Sequence, residues 1–269
     1  MTSSTASKAV QTIIIGAGIV GCSIAYHLAK MGYRDVMLVD RTSPGDPAGS
    51  TGHAPGLLAQ ISAAPSMTRL AQLSAALYRE LPPGNPAYCT VGSIEVARDE
   101  ATMCRFHDKV ERGAQAGIVA QIVDVAELKS LMPLMNVEGL IGGVLVPSDG
   151  VLDARRALSG LAAEITQADI EIRSGTTVTG IEMAHGKVVG VATDKGFVAC
   201  DRVIVAVGIW GATFMKALGV EIPLFPVQHP YLYTEPLAEW RDEAREATHP
   251  FVRDLDHVAY YRQHGKRMG

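Results

Sequence analysis

Residues 12–41 constrain this chain more than any other stretch. Ile13, Ile14 and Ile15 run into a glycine turn, Gly16-x-Gly18-x-x-Gly21, which is followed by a helical pattern and a second apolar run that ends at Asp40. An unbroken apolar run predicts a buried parallel strand, because strands covered on both faces need not alternate apolar with polar. Gly16 permits the tight turn, Gly18 lets a pyrophosphate approach the backbone, and Gly21 lets the helix pack close to the strand. The helix N-terminus offers free N–H groups and a positive dipole end to phosphates. Asp40 lies 19 residues past Gly21, where a carboxylate can take ribose hydroxyls. Together these parts predict a dinucleotide-binding β-α-β unit. They leave NAD and FAD both open.

At 269 residues the chain is long enough for one large domain or two small ones. A net charge of −4 gives no basic footprint for nucleic acid. Cys22, Cys89, Cys104 and Cys200 are scattered without a CxxC pair, so neither a zinc site nor a disulfide framework is expected, and a reduced, cytoplasmic compartment is. The polar opening lacks a basic n-region and a cleavage site. No run approaches the roughly 20 apolar residues of a membrane span.

After Asp40, residues 41–56 are rich in Gly, Pro, Ser and Thr, which opposes helix and strand alike. A long structureless loop that starts where a dinucleotide must lie points to function. Met67, Leu70, Leu73, Leu77 and Leu81 predict an amphipathic helix over 66–81, stopped by Pro82-Pro83-Gly84. A strand over 93–97, a helix over 100–116, a capping box at Asp124 and Glu127, and a strand over 140–146 follow. This block departs from β-α alternation and suggests an inserted domain. The nucleotide fold resumes at Gly150, and Asp153 can cap a helix through 168. A strand at 171–173 leads into a meander over 176–199 with turns at His185-Gly186 and Lys195-Gly196, then a strand over 202–207 that ends in Gly208-Ile209-Trp210-Gly211. Residues 222–269 alternate short extended stretches with proline-rich turns.

This order resembles the glutathione-reductase-like FAD proteins. Within them it is similar to the D-amino-acid-oxidase-type family, and to its dimethylglycine oxidase, dimethylglycine dehydrogenase and sarcosine dehydrogenase group. The narrower resemblance rests on residues 49–57 (GSTGHAPGL), 228–231 (QHPY) and 255–262 (LDHVAYYR). It implies an α/β fold: an FAD-binding Rossmann domain over 1–90 and 149–221, with an inserted α+β substrate domain over 91–148 and 222–269. The resemblance also implies that the family's late strand is missing here, so that the chain is C-terminally truncated and weakly stable without a partner chain supplying the remainder.

The resemblance further implies that His53 carries the FAD covalently. Gly16, Gly18, Ile19, Val20 and Gly21 would form the phosphate turn, and Asp40 and Arg41 would meet the adenosine end. Ser50 and Thr51 would sit near the pyrophosphate, Leu57 would pack by the flavin, Val178 would reach the adenine, and Gly208, at the end of the 202–207 strand, would also meet the cofactor. His229 and Tyr260 match the group's active-site pair, with His229 as proton acceptor. The implied reaction is oxidation of an N-methyl amino acid by hydride transfer to flavin N5. Oxygen or an electron-transfer flavoprotein would then take the electrons. Two other readings stay open: a deaminating amino-acid oxidase, and a non-catalytic FAD-binding subunit.

Overall fold

The structure, a computed structural model, describes residues 9–46, 48–81, 87–241 and 243–269. The polar opening up to residue 8 and the Pro82-Pro83-Gly84 stop lie outside the described residues. The chain divides into two compact units, 1–54 with 154–228 and 55–153 with 229–269.

The first unit opens with β1 (Val10–Ile15), α1 (Ile19–Lys30) and β2 (Val36–Val39). β1 and β2 pair in parallel, with Ile13 beside Met37 and Ile15 beside Val39. Ile13, Ile14, Met37 and Leu38 are wholly buried, which is why these strands carry no polar alternation. The expectation of a loop without helix over 41–56 is corrected by one helical turn, α2 (Ser50–His53). Gly52 N–H closes it on the Gly49 carbonyl at 3.0 Å. A tertiary bond holds the turn in place: Thr51 Oγ1 accepts the Ile19 N–H at 3.1 Å.

The second unit begins with β3 (Leu57–Leu58), α3 (Pro65–Glu80), β4 (Tyr88–Thr90) and β5 (Ser93–Ala97). Then come α4 (Glu100–Gln115), β6 (Gln121–Val123), α5 (Val125–Leu131), β7 (Gly142–Val146) and β8 (Gly150–Leu152). The capping box is formed, with Glu127 N–H bonding Asp124 and Asp124 N–H bonding Glu127, each at 2.8 Å. β8 lies between β3 and β4 in one sheet. That pairing places residues 55–90 in this unit, where the sequence had grouped them with the nucleotide domain.

The chain returns to the first unit with α6 (Ala154–Gln167), β9 (Glu171–Arg173), β10 (Val178–Ala184), β11 (Lys187–Thr193) and β12 (Gly196–Val205). α6 buries Leu158, Leu161 and Ile165, the face its periodicity predicts. The two strands expected at 197–199 and 202–207 are one continuous strand that changes partner. Residues 196–199 pair antiparallel with β11, and residues 200–205 pair parallel with β1. The sheet order is β10-β11-β12-β1-β2-β9. A 3-10 turn over 208–210 leads into α7 (Gly211–Ala217).

The second unit closes with β13 (Phe251–Asp254), β14 (Ala259–Tyr261) and a hairpin of β15 (Gln263–His264) and β16 (Arg267–Met268). β13 joins the middle block as the parallel partner of β5, giving the sheet order β14-β13-β5-β7-β6. Among the described residues no helix is long and apolar enough to cross a membrane.

Candidate active site and cofactor pocket

The N-terminus of α1 opens into a cavity of about 820 Å³ within the first unit. Gly16 has φ +106°, and a Cβ there would run into the Ala206 carbonyl. A Cβ at Gly21 would meet the Gly16 carbonyl, so α1 packs against its own turn only with glycine there. α1 carries no acidic residue in its first turn and no side-chain cap from its own N-cap residue. An anion at this end therefore meets backbone donors and the positive end of the dipole, with no acid in the first turn of α1 and the Asp40 carboxylate beside it on the Ala17 N–H. The cavity fits a dinucleotide pyrophosphate.

Gly16, Gly18, Ile19 and Val20 line the cavity on the side of the turn. Ser50 and Thr51 line it from α2, Asp40 and Arg41 from the end of β2, and Val178 and Gly208 from the other side of the sheet. Gly21 packs behind the turn. His53 and Leu57 lie outside the cavity lining, and Leu57 belongs to the second unit. Thr51 spends its hydroxyl oxygen on Ile19 N–H, serving α1 as a cap from a distant loop.

Asp40 differs from the expectation of a carboxylate held open for ribose. Its Oδ2 accepts the Ala17 N–H at 2.7 Å. Its Oδ1 accepts the Thr42 N–H at 2.6 Å and the Thr42 hydroxyl at 2.8 Å. Of roughly four acceptor positions on a carboxylate, three are taken, one by the glycine turn and two by Thr42. Burial, then the Asp40 charge, push the nearby Cys22 thiol up to about 12, so this cysteine is an inert filler.

Trp210 was overlooked in the sequence, although it sits in the quoted strand-end segment. Its ring lies under the Arg41 guanidinium at 4.0 Å and forms part of the cavity wall. His53 is exposed, and its Nδ1 bonds the Gly49 carbonyl at 3.0 Å. A carbonyl only accepts, so Nδ1 carries the proton, and in the neutral ring Nε2 keeps its lone pair.

His229 and Tyr260 both lie in the second unit. His229 is exposed, and no side-chain hydrogen bond to it is present among the described residues. Tyr260 is half-buried on β14, and its ring stacks on Tyr231 at 5.9 Å. Tyr231 in turn bonds His264 Nε2 at 2.7 Å. His264 Nδ1 bonds Glu246 at 3.2 Å, and Glu246 also receives a hydrogen bond from Arg262. Tyr231, Tyr260 and Arg262 lie in the quoted segments 228–231 and 255–262, but their meeting with Glu246 and His264 was not legible, because the members come from an extended stretch, a loop and a hairpin with no shared spacing.

The chain matches the family model DAO, described as FAD dependent oxidoreductase, over residues 11–268. It is 31% identical over 262 residues to 4-methylaminobutanoate oxidase (formaldehyde-forming) of Paenarthrobacter nicotinovorans, a match covering 96% of this chain and 31% of that protein. It is 30% identical over 256 residues to mitochondrial dimethylglycine dehydrogenase of Homo sapiens, covering 94% of this chain and 29% of that protein. The chain thus spans less than a third of the length of these relatives. L-proline dehydrogenase from P. horikoshii superposes with a TM-score of 0.82 at 22% identity, over 98% of this chain and 70% of that one. At that identity the likeness shows the fold.

Proposed function

This chain belongs to the family of FAD-dependent oxidoreductases, and on that premise we propose that it oxidises an N-methyl amino acid of the dimethylglycine or sarcosine kind, releasing the methyl group as formaldehyde. The observation that carries the reading is the glycine turn and α1 N-terminus, with no acid in its first turn, opening on a cavity of dinucleotide size. The substrate class is supported by relatives named for dimethylglycine and for formaldehyde formation.

FAD, when bound, supplies the two-electron oxidation. The protein's part is to hold it and to prepare the substrate. The Gly18 and Val20 N–H groups and the α1 dipole bind the pyrophosphate, since the Gly16, Ala17 and Ile19 N–H groups are given to Val39, Asp40 and Thr51. Arg41, stacked on Trp210, is a fixed cation at the adenosine end. Asp40 serves mainly as a brace for Ala17 and Thr42, with one acceptor position left for a hydroxyl. His53 carries the cofactor covalently, its bonded Nδ1 leaving Nε2 as the nucleophilic nitrogen. Tyr260 and His229 face the substrate in the second unit. The substrate nitrogen must lose its proton before the carbon beside it can be oxidised, so a proton acceptor belongs there.

Acid precipitation after loading with FAD tests the cofactor reading. Flavin fluorescence in the pellet, abolished by His53→Ala, is expected. Flavin only in the supernatant would remove the covalent link and keep the fold. Bleaching of the bound flavin by dimethylglycine or sarcosine with formaldehyde as product tests the reaction, whereas ammonia and a keto acid would identify a deaminating oxidase.

A further inference from the structure

Gly49, the N-cap residue of α2, has φ −95° and ψ −164°, an extended backbone open to any residue. What disfavours a side chain there is a neighbour: a Cβ on Gly49 would stand 3.0 and 3.3 Å from two carbons of the Trp210 ring. The two residues lie together on the wall of the cofactor cavity, inside the first unit. Trp210 is itself held, by the Arg41 guanidinium over its face at 4.0 Å and by its own N–H on the Val207 carbonyl at 3.2 Å. The Gly49 carbonyl accepts twice, from the Gly52 N–H and from His53 Nδ1, each at 3.0 Å. α2 is therefore fixed at two points. Thr51 Oγ1 ties it to α1, and the Trp210 ring backs the residue whose carbonyl orients His53.

We propose that Trp210 is a positioning residue for covalent attachment of the cofactor: by backing Gly49 it fixes the acceptor of the His53 Nδ1 proton and so sets where Nε2 points. This rests on the reading that His53 carries the flavin. In the attachment, the Nε2 lone pair forms a bond to the flavin 8α-carbon and a C–H bond of that methyl breaks. The proton and electron pair of that bond pass to the flavin ring, which is reduced by two electrons. The imidazole becomes a cation, and its Nδ1–H bond to the Gly49 carbonyl strengthens with the charge. Dioxygen then takes up the electron pair, the proton on the flavin and the Nδ1 proton, and leaves as hydrogen peroxide. A ring with its proton on Nε2 has no lone pair there to form the bond. A misplacement of about 1 Å slows a positioned reaction on the order of 100-fold, so the backing of one glycine has a measurable kinetic consequence.

The test mixes the flavin-free chain with saturating FAD and follows acid-precipitable flavin against time. FAD affinity is read from fluorescence quenching, and the His53 tautomer from nitrogen NMR of the FAD-free chain at alkaline pH. Trp210→Leu is expected to slow attachment at saturating FAD about 10- to 100-fold and to let the His53 proton exchange between Nδ1 and Nε2. Trp210→Phe, which keeps a flat ring against Gly49, should restore most of the rate. Gly49→Ala, which sets a methyl against the ring, should slow attachment as well. Combined with Trp210→Leu it should be no slower than Trp210→Leu alone, because the two act through one contact. Matched melting curves exclude misfolding as the cause. The inference is overturned, with the covalent reading intact, if Trp210→Leu weakens FAD affinity yet attaches at the original rate once FAD saturates. It is overturned equally if the two substitutions slow attachment additively, or if His53 keeps its proton on Nδ1 in Trp210→Leu. If the original chain gives no acid-precipitable flavin, whether or not FAD binds, the covalent reading itself falls and takes this role of Trp210 with it.

Discussion

The glycine turn of the first unit and the tyrosine–histidine cluster of the second do comparable work by opposite means. The turn is built from backbone, and glycine is needed where carbonyls occupy the space a Cβ would fill: that of Ala206 at Gly16 and that of Gly16 at Gly21. The cluster is built from side chains at 231, 246, 260, 262 and 264, each replaceable by many residues as far as its own backbone is concerned. A backbone site leaves a signature in the sequence. A side-chain network, whose members are ordered by one another, leaves none.

The largest expected effect falls on the cluster. Arg262→Met leaves Glu246 without its buried cation and the Pro55 carbonyl without its donor. A loss of about 3–5 kcal/mol in denaturant unfolding is expected. A loss below about 1 kcal/mol would mean that the members are independent, and the contrast would break. On the other side, Gly16→Ala sets a Cβ against the Ala206 carbonyl at φ +106°. It should cost about 1–3 kcal/mol and abolish flavin retention, while leaving the cluster's tyrosine and histidine NMR signals in place.

A smaller effect tests the one place where the turn borrows a distant side chain. Thr51→Ala removes the acceptor for Ile19 N–H. It should cost about 1 kcal/mol and weaken FAD binding, and Thr51→Ser should restore both. The last prediction is read from the shape of the acid limb. Burial favours the protonated form of Asp254, but hydrogen bonds from Arg98 and His257 outweigh it and hold the carboxyl at about 2. A carboxyl lowered in the folded state contributes stability above its ordinary value of 3.8 and loses that contribution as pH falls toward 2. Acid unfolding followed by tryptophan fluorescence should therefore flatten over that window in Asp254→Asn. An unchanged acid limb would show that Asp254 is not a source of acid sensitivity.

Much of the first unit was legible. Ile13 to Ile15, the three glycines and Asp40 announced β1, α1 and β2 in order, although β1 begins three residues earlier, at Val10. The capping box at Asp124 and Glu127 was read correctly because a cap is a contact between neighbours in the chain. Residues 55–90, expected with the nucleotide domain, group with the second compact unit, because pairing of β3 and β4 with β8 joins segments about 60–90 residues apart. The meander's last two strands were read as separate for the same reason: β12 exchanges β11 for β1 along its length, and no local feature marks the exchange.

The sequence by itself determined the elements whose energetics are local: the apolar strands, the glycine turn, the helix faces and the caps. These depend on φ/ψ limits, periodicity and hydrogen bonds between near neighbours, all of which are written in consecutive residues. Tertiary structure alone decided that Asp40 would brace the turn, that Trp210 would lie under Arg41, and that Tyr231, His264, Glu246 and Arg262 would meet. Those contacts depend on which distant side chains share a desolvated space, where each polar group must find a partner. Until the chain folds, nothing specifies which partner that is.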